Sequence, residues 1–236
     1  RDRIRSLEKK VNKSKFINNK DEDELIFKYK MIQAKLDGFL NNANDIIKKK
    51  KDNSDHSKYA LAVALYRQAL LNDSLSVLDE LILKYPKNAW YYELKGQILY
   101  ESGKIEDSIK PYTRALSLKG EEPLLMVGLA TALNARGNKG DAKKAISLLK
   151  ESLKYDKKNS RTWYQLAISY SDIKNIGMAE LSSAERHFLT GNTKMASFHA
   201  KKSLKYFNNS DISKLRAQDI LIDAENKAKW KRRCPV

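Results

Sequence analysis

This chain has little of what punctuates or staples small folds. Of its 236 residues one is cysteine, four are proline and nine are glycine. A lone Cys234 near the C-terminal end excludes an internal disulfide and a cysteine metal site, and says little about compartment. Sparse glycine and proline, with no strand-rich segment, argue against an all-β fold. No run approaches the roughly 18 consecutive apolar residues of a membrane-spanning helix. The opening Arg1-Asp2-Arg3-Ile4-Arg5 is not a signal peptide, and a first residue other than Met points to a fragment or processed product. Catalytic vocabulary is equally thin. The three histidines, His56, His187 and His199, are scattered, and none belongs to a zinc-binding pair with a glutamate between two histidines at helical spacing. There is no phosphate loop and no nucleophile elbow, and Cys234 has no placed base. The expectation is a chain without catalytic residues, metal or cofactor of its own.

What the chain does have is a period. Leu61-Ala62, Gly96 and Ala130 fall 34 residues apart, each followed by a second run of spaced apolar residues. Such self-similarity is the mark of stacked helical hairpins. A first repeat has Leu61, Ala62 and Leu65 on its first helix, then Ser74, Leu78 and Leu81, and ends at Pro86. The second shifts this pattern through Tyr92, Gly96 and Leu99, turns at Gly103, and returns through Ser108, Tyr112 and Ala115. A third runs from Met126 through Leu133 and, after three extra residues in the turn at Gly137–Gly140, resumes with Ala145, Leu149 and Ser152. Trp163, Leu166, Ala167 and Tyr170 announce a fourth. Beyond them the register degrades, although Met178 to Leu189 and Thr193 to Tyr206 read as an antiparallel pair about Gly191. Small residues where helices must nearly touch and large ones behind them match the tetratricopeptide pattern. The predicted fold is all-α, a right-handed tetratricopeptide-type superhelix with capping helices.

Three segments follow. Residues 1–54 are a charged lead-in, with a short helix at Arg3 to Val11, a capping helix at Asp21 to Leu40 and a linker. The capping helix carries Leu25, Tyr29, Ile32, Leu36 and Phe39 at three- and four-residue spacing, a face expected to pack on the first repeat. Residues 55–210 hold about four to five hairpins. Residues 211–236 give a last helix, Asp211 to Lys227, and a loose basic tail. The formal charge of +17 is unevenly spread. Residues 1–52 carry 15 basic and 9 acidic side chains and residues 194–236 carry 11 and 4, while the repeats between them carry 20 and 16. A nucleic-acid-binding solenoid would line its groove with Lys and Arg, so no nucleic acid is expected. The lysine-rich ends read as solvated surface, with weak contact to an anionic membrane surface or to an acidic partner as the remaining option.

In tetratricopeptide arrays the second, fifth, ninth, twelfth and thirteenth positions of each first helix face a concave groove. By that resemblance, counting from Asp55 places His56, Tyr59, Val63, Tyr66 and Arg67 there. Counting from Ala89 gives Trp90, Glu93, Gln97, Tyr100 and Glu101, from Pro123 it gives Asn134, and from Ser160 it gives Arg161 and Tyr164. Aromatics mixed with isolated charges of both signs suit an extended or helical peptide. The same aromatics also suit packing between repeats, and both roles stay open.

Five strings carry a narrower resemblance: residues 31–40 (MIQAKLDGFL), 59–68 (YALAVALYRQ), 93–103 (ELKGQILYESG), 177–180 (GMAE) and 215–220 (LRAQDI). They are similar to the C-terminal repeat half of BepA-like periplasmic zinc metalloproteases, relatives of the CAAX-processing proteases. That resemblance implies an upstream protease domain with a His-Glu-x-x-His zinc site that cleaves misassembled outer-membrane proteins. The repeat half would dock on it, recruit clients or the outer-membrane assembly machinery, and limit access. No position here matches the zinc motif, so zinc would belong to that missing domain and the location would be periplasmic. The two other readings are a stand-alone scaffold or assembly adaptor and a basic helical-repeat nucleic-acid binder.

Overall fold

A computed structural model describes residues 2–15, 23–49 and 53–233. Cys234, and Lys50 and Lys51 of the lysine run, lie outside the described residues, as do the side chains of Lys229 to Arg233. Contacts divide the chain into two units, Arg1–Leu81 and Ile82–Val236.

The first unit contains α1 (Asp2–Asn12), α2 (Asp23–Leu40), α3 (Ala43–Lys49), α4 (Asp55–Arg67) and the greater part of α5 (Leu71–Lys84). The stretch expected to be a linker includes α3. Ser54 caps α4, its side chain accepting from the Ser57 N–H at 3.3 Å, which satisfies a donor that the helix itself cannot. In α4 the run Tyr59, Ala60, Ala62, Val63, Ala64, Leu65 is buried. Ser74 of α5 donates to the Ala62 carbonyl at 2.7 Å, so a small polar residue lets the two backbones approach.

Helix α2 packs on α4, but through the opposite face from the one expected. Met31, Ala34 and Gly38 are its buried residues. Gly38 lies so near α4 that a β-carbon there would meet the Val63 β-carbon at 2.6 Å and the Ala60 carbonyl at 2.9 Å. The small residues win because they allow the closer approach, and packing gains fall off steeply with separation. Leu25, Tyr29, Ile32 and Leu36 are left exposed, and Phe39 is half-buried.

The second unit contains α6 (Ala89–Glu101), α7 (Ile105–Leu118), α8 (Pro123–Arg136), α9 (Asp141–Tyr155), α10 (Ser160–Asp172), α11 (Ile176–Leu189), α12 (Thr193–Ser203), a 3-10 turn at Leu204–Tyr206 and α13 (Ile212–Arg233). Each helix touches its successor, and α6 touches α8, α8 touches α10 and α11 touches α13. That nearest-neighbour pattern is serial hairpin stacking. Tyr112 of α7 shows how the repeat works: β-carbons added at Gly96 and Gly128 would fall 2.8 Å and 2.7 Å from its ring. One aromatic thus fills the space left by two glycines, on α6 and on α8.

Turns recur at the same step. Gly103 (φ 78°) and Gly137 (φ 68°) take the left-handed conformation, which costs glycine little. At the equivalent hairpin turns Ala69 (φ 58°) and Lys174 (φ 62°) do so without that freedom. Closure is the same at Ala69, Gly103 and Lys174: the next N–H reaches back to the last helical turn, Leu70 to Leu65, Lys104 to Leu99 and Asn175 to Tyr170, at 2.9 to 3.0 Å. The C-terminal helix α13 continues beyond Lys227 to Arg233. It buries Ala217, Ile220 and Ala224 against α11 and α12, and Arg216 grips the buried Glu185 in a two-point pair at 2.6 and 2.8 Å.

Candidate protein-binding surface

Helices α4, α6, α8 and α10 begin at Asp55, Ala89, Pro123 and Ser160, the residues from which the groove positions were counted. In the second unit those positions gather along α6, α8 and α10. Arg161 and Tyr164 are exposed on α10, three residues apart and therefore on one face. The Arg186 guanidinium lies 4.4 Å from the Tyr164 ring centre, a cation over an aromatic face that holds the ring's orientation. Asn134 of α8 donates to the carbonyl and to the side-chain Oε1 of Gln165 at 3.1 and 2.9 Å, and accepts from Ser169 at 2.7 Å. This network pins α8 to α10 and uses both ends of the Asn134 amide.

On α6, Trp90, Gln97 and Tyr100 are half-buried and Glu93 is buried. Lys119 sits 5.1 Å over the Trp90 ring, and Gln97 donates to Glu101 at 2.9 Å. Partial burial raises the Glu101 carboxyl above its ordinary range, with Arg161 opposing that shift. Burial also lifts the Tyr112 hydroxyl well above its ordinary value, with the Glu93 charge adding to the effect and Arg161 again opposing it. Arg161 thus adds positive charge to the surroundings of both Glu101 and Tyr112.

Of the five residues assigned to the groove in the first unit, Tyr59, Tyr66 and Arg67 sit differently. Tyr59 is 2% exposed, inside the packing of α4. Tyr66 is half-buried. Arg67 donates to the carbonyls of Gly38 and Asn41 at 3.0 and 2.7 Å, placing a cation on the C-terminal carbonyls of α2 where the helix dipole favours it. The first unit also has a cleft of about 960 Å³ of mixed lining, with Asp37, Asp45, His56, Lys58 and Glu80 beside Ile46, Leu61 and Val77. Lys58 and Glu80 pair across it at 2.8 Å.

Sequence spacing missed several partnerships. His187 and His199, read as scattered, stack with ring centres 5.3 Å apart and planes 5° from parallel. His199 Nδ1 lies 2.7 Å from Glu180, which also accepts from Lys202 at 2.5 Å. Helices α11 and α12 run antiparallel about Gly191, and nothing at a 34-residue period marks that cross-helix pair. Even so, among the described residues no group of three or more His, Cys, Asp or Glu could hold a metal ion. Among the described residues no helix is long and apolar enough to cross a membrane.

No family profile matches the sequence, and no curated protein sequence matches it either. Solved structures do. MamA 41-end from Desulfovibrio magneticus RS-1 aligns with a TM-score of 0.56 at 13% identity, over 75% of this chain and 97% of that one. PilF of Pseudomonas aeruginosa aligns at 0.52 and 12% identity, over 83% and 98%. Yeast Tom70 aligns at 0.52 and 17% identity, over 92% of this chain and 46% of that one. These neighbours are tetratricopeptide-repeat proteins, and at such identities the likeness is one of fold. The fold is all-α and of tetratricopeptide type, a type suited to protein recognition.

Proposed function

We propose that the chain is a protein-recognition module whose second unit holds an extended or helical segment of a partner protein along α6, α8 and α10. The observation that carries this reading is the exposed Arg161–Tyr164 pair on α10, with Arg186 over the Tyr164 ring and α10 itself tied to α8 by the Asn134–Gln165–Ser169 network. An exposed aromatic ring already held by a cation loses little freedom on binding, and Tyr and Arg side chains dominate interface energies. The test is anisotropy titration of the chain with fluorescent peptides from outer-membrane proteins. Replacing Arg161 and Tyr164 together by Ala should weaken binding about tenfold or more with the melting temperature unchanged. Equal binding by this variant would overturn the assignment.

The finer reading, supported by the five strings that resemble BepA-like proteins, is that the module serves a periplasmic zinc metalloprotease. It would recruit misassembled outer-membrane proteins and regulate access to a zinc site held by an upstream domain. A stand-alone scaffold is the second reading, equally consistent with the tetratricopeptide-type fold that the solved neighbours share. The coding sequence upstream of Arg1 separates the two: a His-Glu-x-x-His helix there supports the protease, and its absence supports the scaffold.

A further inference from the structure

Consecutive residues of α11 reach opposite neighbours. Arg186 extends to α10, its guanidinium 4.4 Å from the Tyr164 ring centre, and His187 extends to α12, its ring parallel to that of His199 with centres 5.3 Å apart. The two contacts therefore share one turn of one helix. The two imidazoles are served unequally. His199 Nδ1 lies 2.7 Å from one Glu180 oxygen, whereas among the described residues no carboxylate pairs with His187. Glu180 has no capacity to spare, because its other oxygen already accepts from Lys202. When neutral, the rings stack. With a proton on each, two cations stand 5.3 Å apart beside a guanidinium in a half-buried setting, where like charges are poorly screened.

We propose that the His187–His199 stack is an acid-sensitive latch: a proton on His187 parts the two rings and draws Arg186 off Tyr164, loosening the recognition face. The latch rests on the assignment of α6, α8 and α10 as that face. Its direction follows from the surroundings. Burial, His199 and Arg186 each lower the affinity of His187 for a proton, so the stack is intact at neutral pH and opens only below the ordinary histidine range. Coupling is reciprocal: because the Arg186 charge disfavours a cation on His187, a cation on His187 disfavours Arg186 where it stands. The packed elements offer no relief. Lys202 of α12 is bonded to Glu180, and α10 presents Arg161 beside Tyr164. On α13, Arg216 takes up the buried Glu185 and feels Asp219 and Asp223, Glu225 pairs with Lys201, and Lys227 lies 4.3 Å from the Phe188 ring centre. Both acids of α11, Glu180 and Glu185, are thus committed to other cations.

The test follows the Tyr164 ring by NMR, in the full chain with tyrosine and histidine rings isotopically labelled. The Tyr164 signal is identified by its loss in Tyr164→Phe. From pH 7 to pH 5 it should titrate with the midpoint of the His187 ring, and in His187→Gln that titration should be lost. Where the glutamine variant does not fold, His199→Gln serves instead: removing the neighbouring charge should move the Tyr164 midpoint to higher pH. A Tyr164 signal flat across this range, the same titration in His187→Gln, or an unmoved midpoint in His199→Gln would each overturn the latch. None of these measurements uses a peptide. The groove assignment fails separately, if the chain with Arg161 and Tyr164 both replaced binds outer-membrane peptides as the parent does.

Discussion

Helices α2 and α6 both space apolar residues three and four apart, yet α6 is sealed and α2 is open. In α6, Tyr91, Leu94 and Ile98 are fully buried because α7 and α8 both pack against it. In α2 the large residues Leu25, Tyr29, Ile32 and Leu36 face outward, while Met31, Ala34 and Gly38 meet α4. Amphipathic spacing identifies a face able to be buried, and the number of neighbours determines whether it is. Where a helix has one principal neighbour, the smaller face wins if it permits the closer approach.

The contrast is broken most directly by truncating one large residue of each kind. Tyr112→Ala removes the ring that fills the space at Gly96 and Gly128 and should cost about 3–5 kcal/mol in guanidinium unfolding. Leu40→Ala, at an exposed position, should stay within about 0.5 kcal/mol. A comparable loss from Leu40 would mean that the outward face of α2 is buried in solution. Next comes the close approach itself. Gly38→Ala should cost about 1–3 kcal/mol and speed proteolysis within α2, because neither the Val63 β-carbon nor the Ala60 carbonyl can move aside like a flexible side-chain end. A smaller gain is expected at a turn. Lys174→Gly relieves a left-handed backbone that glycine adopts freely and should stabilise by about 1 kcal/mol, whereas Gly103→Ala, which introduces the same strain, should lose a similar amount.

The smallest expected effect is one of pH. Burial lowers the affinity of His187 for a proton, and the neighbouring charges of His199 and Arg186 lower it further. The folded state therefore binds that proton less readily than the unfolded chain. The resulting stability is present above the ordinary histidine range and lost as pH falls through the depressed value. Melting temperature should drop between pH 7 and pH 5, and by less in His187→Gln. An identical drop in that variant would assign the effect to other groups.

The repeat register was legible in the sequence because each 34-residue step repeats one steric problem, a small residue on the first helix facing a large one on the second. Helix starts followed from the same register, with Asn88 and Asn159 standing immediately before α6 and α10 and capping them. The candidate surface was legible only as a set of positions. Tyr59 and Arg67 satisfy the counting rule for groove residues, but one is packed inside its unit and the other is bonded to the C-terminal carbonyls of α2. The Arg186 contact on Tyr164 and the bonding of Asn134 to Gln165 and Ser169 were invisible, since each joins different helices whose relative rotation no periodicity encodes.

Local chemistry written along the chain determined the helices, their order and their turns: spacing, caps and left-handed turn positions act within a few residues and need no distant partner. Which face of α2 would be covered, which groove positions would remain free, and that His187 would stack on His199 were decided only in three dimensions. Those outcomes depend on how closely two backbones approach, a quantity set jointly by side chains on separate helices.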